Sequence, residues 1–328
     1  MHDISAAITT RFRVAATGCI IGLLVVAVAP WLLDTYLTNI LIRTLFLATV
    51  VMTVDILWGS VGILTFGQSA FFGIGAYACG LIFTHYGFGP GWALAGLALG
   101  IGVGAVVAAA TGWLAFFHGS SPLYASIITL ALPIVLTQVI FSGGNFTGSS
   151  SGLSGFPTYY WDLRIWFWTA GTFLVLTTTA AWLLVRSDFG RVMVAIRENE
   201  ERTRLLGYDT FVSKLAAMAV SGVICAAAGA AYALLFGYAG ASFAEVHFSI
   251  LPLLWVLVGG AATVLGPILG TLLMFYLVDF SNDLLNAYFQ GWNLSYLGVV
   301  GVALVLLILF FPKGLLGSVR ERWVRWLP

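Results

Sequence analysis

Long apolar stretches separated by short polar connections run along almost the whole chain. From Ile56 to Trp161 the sequence contains no Asp, Glu, Lys or Arg. Stretches of this length and polarity predict membrane-spanning segments, which must be helical because lipid offers no partner for free backbone N–H and C=O groups. The predicted segments are residues 14–33, 38–57, 61–84, 91–117, 121–141, 165–185, 215–238, 248–265, 267–285 and 293–311.

The eighth and ninth segments are predicted to be broken or only partly spanning. Residues 246–278 carry no charge, but Gly259-Gly260 and Gly266-Pro267 interrupt the run. Glycine pairs and Gly-Pro steps break helices, and broken helices often mark the functional part of a transporter.

Composition supports this interpretation. Hydrophobic residues make up 60% of the chain and charged residues 8%, whereas a soluble domain carries roughly 25% charged residues. The sequence therefore predicts an all-α polytopic membrane protein with about ten transmembrane helices, forming a single domain over residues 1–328. A formal net charge of +1 argues against a nucleic-acid partner and leaves membrane lipid as the surrounding medium.

Basic residues predict the orientation. Of the 14 Lys and Arg residues, two lie at the N-terminus, six between Arg186 and Lys214, and four from Lys313 onward. Ten alternating crossings bring all three regions to one face, and excess Lys and Arg identifies that face as cytoplasmic. Both termini and residues 186–214 are thus predicted in the cytoplasm. The Gly- and Ser-rich residues 142–164 are predicted to form a loop on the opposite, periplasmic side.

The polar loop, residues 186–214, carries six basic and five acidic side chains. A partial apolar stripe between Val192 and Leu206 predicts one or two short amphipathic helices, ended by a left-handed Gly207. Two interpretations stay open. The loop is either a solvated connector with i,i+4 pairs such as Glu198 and Arg202, or a docking helix for a groove on another subunit.

Four separate blocks of sequence resemble the inner-membrane permease of branched-chain amino acid ABC importers, the LivM type. The resemblance covers about 90 residues, in the order that the family has, and implies a multi-pass protein of a bacterial inner membrane. The four blocks are 58-WGSVGILTFGQSAFFGIGAYACG-80, residues 190–233, 255-WVLVGGAATVLGPILG-270 and 311-FPKGLLG-317.

This resemblance implies a role for the polar loop and a set of partners. Such permeases insert a coupling helix into a cytoplasmic ATPase, and a Glu six residues before a Gly recurs in these helices. The implied partners are two ATP-binding subunits, a second homologous permease in a heterodimer, and a periplasmic solute-binding protein. This chain has Arg202-Thr203 where Ala-Ala is more usual. The ATPase contacts expected from the resemblance are Arg197, Glu198, Glu200, Glu201 and Gly207.

The sequence shows no signature of an ATP-hydrolysing site or of a catalytic centre. A phosphate-binding loop needs Gly-Lys-Ser/Thr, but Leu follows Lys214 and Gly follows Lys313. The four histidines are scattered, and no residues have metal-ligand spacing. The acids Asp55 and Asp279 fall near predicted segment ends, not at the mid-membrane position typical of ion coupling. We therefore predict a transporter subunit that is not an enzyme and has no cofactor or metal.

Polar residues in the third segment are candidates for a solute route. Gln68 and Ser69 could hydrogen-bond a passing solute, and Tyr77 follows a little over two turns later. The alternative is helix packing through small residues. A faint internal repeat relates residues 75–83 to 229–237 and would place the route at the junction of two halves.

The leading hypothesis is the transmembrane permease subunit of an ABC importer for branched-chain or related hydrophobic amino acids. One alternative is a permease for urea or short-chain amides, since Trp255 before Gly259-Gly260 is a feature associated with that branch. An alternative of a different class is a stand-alone channel or secondary carrier. A membrane-embedded enzyme would need clustered His or acidic residues, which the sequence lacks.

Overall fold

The computed structural model describes residues 2–117, 121–159, 161–288, 301–302, 305–306, 309 and 314–318. Across these residues the chain is almost entirely helical. A π-helical turn, Ile56–Val61, continues α2, and the two-residue strands β1 (Leu153–Ser154) and β2 (Tyr238–Ala239) pair antiparallel. The helices are α1 His2–Leu32, α2 Thr35–Asp55, α3 Gln68–His85, α4 Pro90–Phe116, α5 Pro122–Ser142, α6 Leu163–Arg186, α7 Asp188–Glu198, α8 Glu200–Leu205, α9 Thr210–Phe236, α10 Val246–Gly259 and α11 Gly266–Tyr288.

Six of the described helices are long and apolar enough to cross a membrane. This confirms an all-α, multi-pass membrane protein. The count of ten crossings and the cytoplasmic termini stay predictions, and most of the tenth predicted segment, 293–311, lies outside the described residues. The six candidate spans are Arg13–Leu32, Thr35–Val61, Pro90–Phe116, Pro122–Ser142, Leu163–Arg186 and Thr210–Phe236.

Two helices differ in length from the sequence prediction. The third predicted segment begins at residue 61, but α3 begins only at Gln68, because residues 62–67 form an irregular connection that starts with a left-handed Gly62. The eighth predicted segment, residues 248–265, is interrupted at the glycine pair as expected, because α10 ends at Gly259. With 14 residues, α10 is about 21 Å long, shorter than the roughly 30 Å hydrocarbon core of a bilayer.

The centre of the bundle is the contact between α3 and α9, where two glycines allow the backbones to touch. A Cβ at Gly75 would lie 1.9 Å from the carbonyl oxygen of Ala226, and one at Gly229 would lie 2.0 Å from that of Phe72. These two contacts are reciprocal, because the sequence offset of the faint repeat, which pairs Gly75 with Gly229, also pairs Phe72 with Ala226. Small residues at such crossings allow close van der Waals packing in place of a hydrophobic driving force.

The helix ends define two opposite faces of the bundle. On one face, which we call the loop face, the polar loop meets the start of α9 and the end of α4, since Lys214 Nζ lies 5.3 Å from the ring centroid of Phe116. On the other face the His85 ring stacks on Phe146 at 4.6 Å, near the β1–β2 pair.

Candidate functional site

The polar loop folds into two short helices, each fixed by a side-chain cap. The Ser187 hydroxyl accepts a hydrogen bond from the backbone N–H of Gly190 at the start of α7, 3.1 Å away. Asn199 Oδ1 accepts from the backbone N–H of Arg202 at the start of α8, 2.8 Å away. Gly207 ends this unit with φ +94°, which confirms the predicted left-handed residue. Caps of this kind stabilise a helix by about 1 kcal/mol each.

Helix α7 is fastened to the bundle by apolar contacts and by one glycine. Met193 and Ile196 are buried in the main hydrophobic cluster together with residues of α2, α3, α4 and α9. A Cβ at Gly190 would lie 2.1 Å from the carbonyl oxygen of Val185, so the chain folds tightly from α6 into α7. The loop therefore forms part of the folded core.

Arg197, at the end of α7, reaches from the polar loop to the π-helical turn. Its Nη1 donates to the carbonyl oxygen of Gly59 in the π-helical turn over 2.5 Å. Its Nη2 lies 2.9 Å from Glu198 Oε1, and the Glu198 side chain is largely exposed. Arg197 thus links the loop to the end of α2.

Glu200 forms the second attachment of the loop. Lys214 Nζ lies 2.5 Å from Glu200 Oε1, and the lysine side chain is only 4% exposed, against 34% for the glutamate. The same ammonium group faces the Phe116 ring. An ammonium group buried this deeply needs a counter-charge. Through Lys214, Glu200 therefore attaches α8 to the start of α9 and to the end of α4.

The outward surface formed by α8 and the residues just after it is mixed in character. Leu205 and Leu206 are 82% and 71% exposed, and Tyr208 is 53% exposed. We call these three residues the apolar ridge. The exposed side chains of Glu201, Arg202 and Arg204 surround it. Of the five residues expected to contact an ATPase, Glu198, Glu201 and Gly207 face outward, whereas Arg197 and Glu200 anchor the loop.

The structure also brings together residues that the sequence reasoning did not connect. Asp55, at the end of α2, is 5% exposed, and its Oδ1 accepts a hydrogen bond from the backbone N–H of Ala262, 2.7 Å away. Ala262 lies in the turn between α10 and α11 and has φ +61°. Gly314 packs on the same turn, since its Cβ would lie 2.4 Å from Gly260 Cα.

All four blocks that carry the family resemblance therefore meet at the loop face. Gly59 of the first block contacts Arg197 of the second block and packs against Ala262 of the third. Gly260, also of the third block, contacts Gly314 of the fourth. The signal in the sequence was a lone acid, Asp55, ending an apolar helix just before the first block. Its long-range partner, a backbone N–H, has no sequence signature.

Gln68 lies at the start of α3 in a buried polar network. Its Nε2 donates to Ser221 Oγ of α9 over 3.1 Å, and that hydroxyl donates to the carbonyl oxygen of Thr53 in α2 over 2.9 Å. Gln68 is 0% exposed, and its Oε1 has no hydrogen-bond partner among the described residues. The network joins three helices.

Ser69 belongs to a second buried contact, between α3 and α10. Its hydroxyl lies 2.7 Å from Ser249 Oγ, and its backbone N–H donates to the same oxygen over 3.0 Å. Ser249 Oγ in turn donates to the carbonyl oxygen of Phe66 over 2.5 Å. Tyr77, two turns further along α3, is buried, and its hydroxyl has no partner within the described part of the chain.

These features define a helical membrane protein with a structured polar loop on one face and a buried, uncharged polar centre. In the described ranges no group of three His, Cys, Asp or Glu side chains could hold a metal ion. A family profile described as branched-chain amino acid transport system / permease component matches residues 36–310. The chain belongs to this family.

Individual relatives are consistent with the family match. The chain is 26% identical to the high-affinity branched-chain amino acid transport system permease protein LivM of Salmonella typhimurium, over 92% of this chain and 75% of the relative. It is 32% identical to a probable branched-chain amino acid transport permease protein LivM of Methanocaldococcus jannaschii, over 40% of this chain and 41% of that one.

A third relative has another printed role. The autoinducer 2 import system permease protein LsrC of Photorhabdus laumondii is 28% identical over 42% of this chain and 41% of its own length. No solved structure matches the chain.

Proposed function

We propose that the protein is the transmembrane permease subunit of an ATP-driven importer in a bacterial inner membrane. Separate cytoplasmic ATPase subunits drive it through the polar loop. It moves branched-chain or related hydrophobic amino acids delivered by a periplasmic solute-binding protein, and it works beside a second homologous permease. The observation that carries this proposal is the apolar ridge at the end of α8, which is exposed within an otherwise charged loop.

An exposed ridge of this kind favours a protein partner. Burying apolar surface contributes about 25 cal/mol per Å², so Leu205, Leu206 and Tyr208 gain stability when a groove covers them. Arg202 and Arg204 beside the ridge favour a groove with an acidic rim, because opposite charges steer and orient the encounter. Glu201 then faces the basic positions of the same rim.

The two anchors explain how the ridge acts on the bundle. The Arg197–Gly59 hydrogen bond and the Glu200–Lys214 ion pair connect α7 and α8 to different elements. A force on the ridge therefore reaches α2, α4 and α9 directly. A solvated connector, the alternative left open by the sequence, requires neither anchor.

The proposed solute route runs along α3, past Gln68, Ser69 and Tyr77. Gln68 Oε1 and the Tyr77 hydroxyl are buried polar atoms without a hydrogen-bond partner among the described residues. An unsatisfied buried group costs about 1–3 kcal/mol. A second state of the bundle, in which a polar solute or water reaches these atoms, recovers that energy. Uncharged polar groups suit a zwitterionic or neutral solute.

The substrate assignment follows the family description and the names of the relatives. Calorimetric titration of the cognate solute-binding protein with leucine, isoleucine, valine and urea tests it. We expect binding of the branched-chain amino acids. A receptor that ignores amino acids and binds urea supports the alternative of a urea or amide importer.

The coupling assignment is tested in proteoliposomes that hold the permease pair and its ATPases. Glu201→Lys and Gly207→Val should each reduce solute uptake at least about tenfold, because they alter the charge or the shape of the docking surface. The matched control is Arg191→Lys, on the exposed side of α7 and paired with Asp188. Wild-type uptake in both variants would refute the coupling role.

The same reconstitution without ATPases distinguishes a stand-alone channel or carrier from the proposed ATP-driven importer. The proposal expects no concentrative uptake by the permease chains alone. ATP-independent accumulation by this chain would favour the carrier.

A further inference from the structure

The π-helical turn Ile56–Val61 is held by the polar loop on one side. Arg197 Nη1 donates to the Gly59 carbonyl oxygen over 2.5 Å. The aliphatic part of the same side chain lies on the backbone of Gly62, since a Cβ there would be 2.7 Å from Arg197 Cγ. A single arginine therefore contacts both ends of the four-residue stretch from Gly59 to Gly62.

On its other side the turn is held to the connection between α10 and α11. Asp55 Oδ1 accepts from the backbone N–H of Ala262 over 2.7 Å. Ala262 has φ +61°, a conformation that costs a residue with a Cβ about 1–2 kcal/mol and so needs support from its surroundings. Gly59 packs against this bond, because a Cβ there would lie 2.3 Å from Asp55 Oδ1 and 2.6 Å from the Ala262 nitrogen.

We propose that Arg197 and Asp55 are positioning residues that transmit movement of the polar loop to the α10–α11 connection through the π-helical turn. The proposal rests on the proposed function in one respect, that ATPase subunits move the loop. We call Asp55, Gly59, Arg197 and Ala262 the junction.

The junction lies at one end of a short helix, α10. Helix α10 runs from Val246 to Gly259, with the junction just beyond its last residue. Near its first turn, Ser249 bonds to Ser69 and to the Phe66 carbonyl at the start of α3. A shift of the α10–α11 connection therefore reaches the buried polar centre without passing through the tightly packed α3–α9 contact.

The π-helical turn is suited to this role. π-Helical turns are rare and frequently occur at functional sites, and this one ends α2 just before the left-handed Gly62. Coupling between sites requires an element with two arrangements that both sites bias. Here the loop biases the turn through Arg197, and the α10–α11 connection biases it through Asp55.

The first experiment uses the full chain alone. A nitroxide label is placed at Leu265, which lies in the α10–α11 connection and is 61% exposed. Loss of the charge-assisted hydrogen bond in Arg197→Met should raise the mobile fraction of the label about tenfold, as expected for a bond of this strength. The matched control is Arg191→Met on the same helix, which pairs only with Asp188 among the described residues.

The second experiment separates the hydrogen bond of Asp55 from its charge. Asp55→Asn keeps an oxygen acceptor for Ala262, so the label should move as in the wild type. Asp55→Ala removes the acceptor and should mobilise the label as Arg197→Met does. Combining Asp55→Ala with Arg197→Met should add little, because both break one chain of contacts.

The third experiment uses the reconstituted importer. Asp55→Ala should lower uptake per ATP hydrolysed about tenfold, which corresponds to loss of one charge-assisted hydrogen bond, and Asp55→Asn should restore it to nearly the wild-type ratio. The proposal is overturned if Arg197→Met leaves the label immobile, or if Asp55→Asn is as impaired as Asp55→Ala. A wild-type importer without ATP-driven uptake contradicts the proposed function instead, while the label still tests the junction.

Discussion

Replacing Glu200 by Ala should release α8 from the bundle while the rest of the protein stays folded. The carboxylate is the partner of a lysine whose side chain is 4% exposed, at an Nζ–Oε1 distance of 2.5 Å. In the variant, Lys214 keeps its contact with the Phe116 ring at 5.3 Å but has no counter-charge among the described residues. The variant therefore isolates the attachment of α8.

The magnitude follows from the burial of the two partners. Removing one partner of a fully buried ion pair costs about 3–5 kcal/mol. Glu200 is 34% exposed, so solvent screening reduces this figure, and the cation–π contact, worth about 0.5–2 kcal/mol, persists. We expect a net cost of about 2 kcal/mol for holding α8 in place. Because 1.4 kcal/mol is a tenfold change, the open population should rise about thirtyfold.

Hydrogen–deuterium exchange of the chain in nanodiscs measures this population. Backbone amides of residues 202–206 should exchange about thirtyfold faster in Glu200→Ala, and those of α7 should be unchanged, since Met193 and Ile196 keep it buried. The matched control is Glu201→Ala. Glu201 also lies in the first turn of α8, so it removes the same interaction with the helix dipole without touching Lys214.

A double variant completes the test. Adding Lys214→Met to Glu200→Ala replaces the ion pair by an apolar contact and should restore most of the protection, because the uncompensated charge is gone. If Glu200→Ala exchanges no faster than Glu201→Ala, the ion pair does not hold α8. The assignment of Glu200 as an anchor is then wrong.

Other contacts yield predictions with equally direct measurements. Asn199→Ala should weaken the α8 cap by about 1 kcal/mol and speed exchange at the start of α8, whereas Asn199→Asp should not; equal rates would contradict the cap. Gly75→Val should not elute as a monodisperse peak in size-exclusion chromatography, because the valine side chain would clash with the α9 backbone. The control Gly102→Val should be tolerated, since a Cβ at Gly102 has nothing within 4 Å. A monodisperse Gly75→Val would contradict the close packing. Ser221→Ala should lower the free energy of unfolding by about 1–3 kcal/mol, because it removes the hydroxyl that accepts from Gln68 and donates to the Thr53 carbonyl oxygen. An unchanged free energy of unfolding would show that this network contributes nothing.

Part of the candidate site could be predicted from the sequence because its signals are local. The mixed charges of residues 186–214 identified the loop, and Gly207 identified its helix end, which has φ +94° in the structure. Which charges point outward could not be predicted. Arg197 and Glu200 are tied to the bundle because their partners, Gly59 and Lys214, lie on other elements. Short helices leave the direction of each side chain to tertiary packing.

The start of α3 shows the same limit. Hydropathy joins residues 61–84 into one apolar segment, but the helix begins at Gln68. Residues 62–67 are held outside the helix by long-range hydrogen bonds, such as those from Ser126 and Ser249 hydroxyls to carbonyl oxygens of this connection. Hydropathy reports which medium a residue prefers and carries no information about partners so distant in sequence.

The sequence by itself determined that the protein lies in a membrane, that it is helical and which family it belongs to. The lengths of the apolar runs, the scarcity of charge and the four family blocks are properties of neighbouring residues along the chain. Only the tertiary structure decided that those four blocks meet at one place. There, Asp55, Gly59, Arg197 and Ala262 contact one another across more than half the chain. Their contacts depend on backbone groups and on glycine surfaces, which become specific only when packing brings the helix ends together.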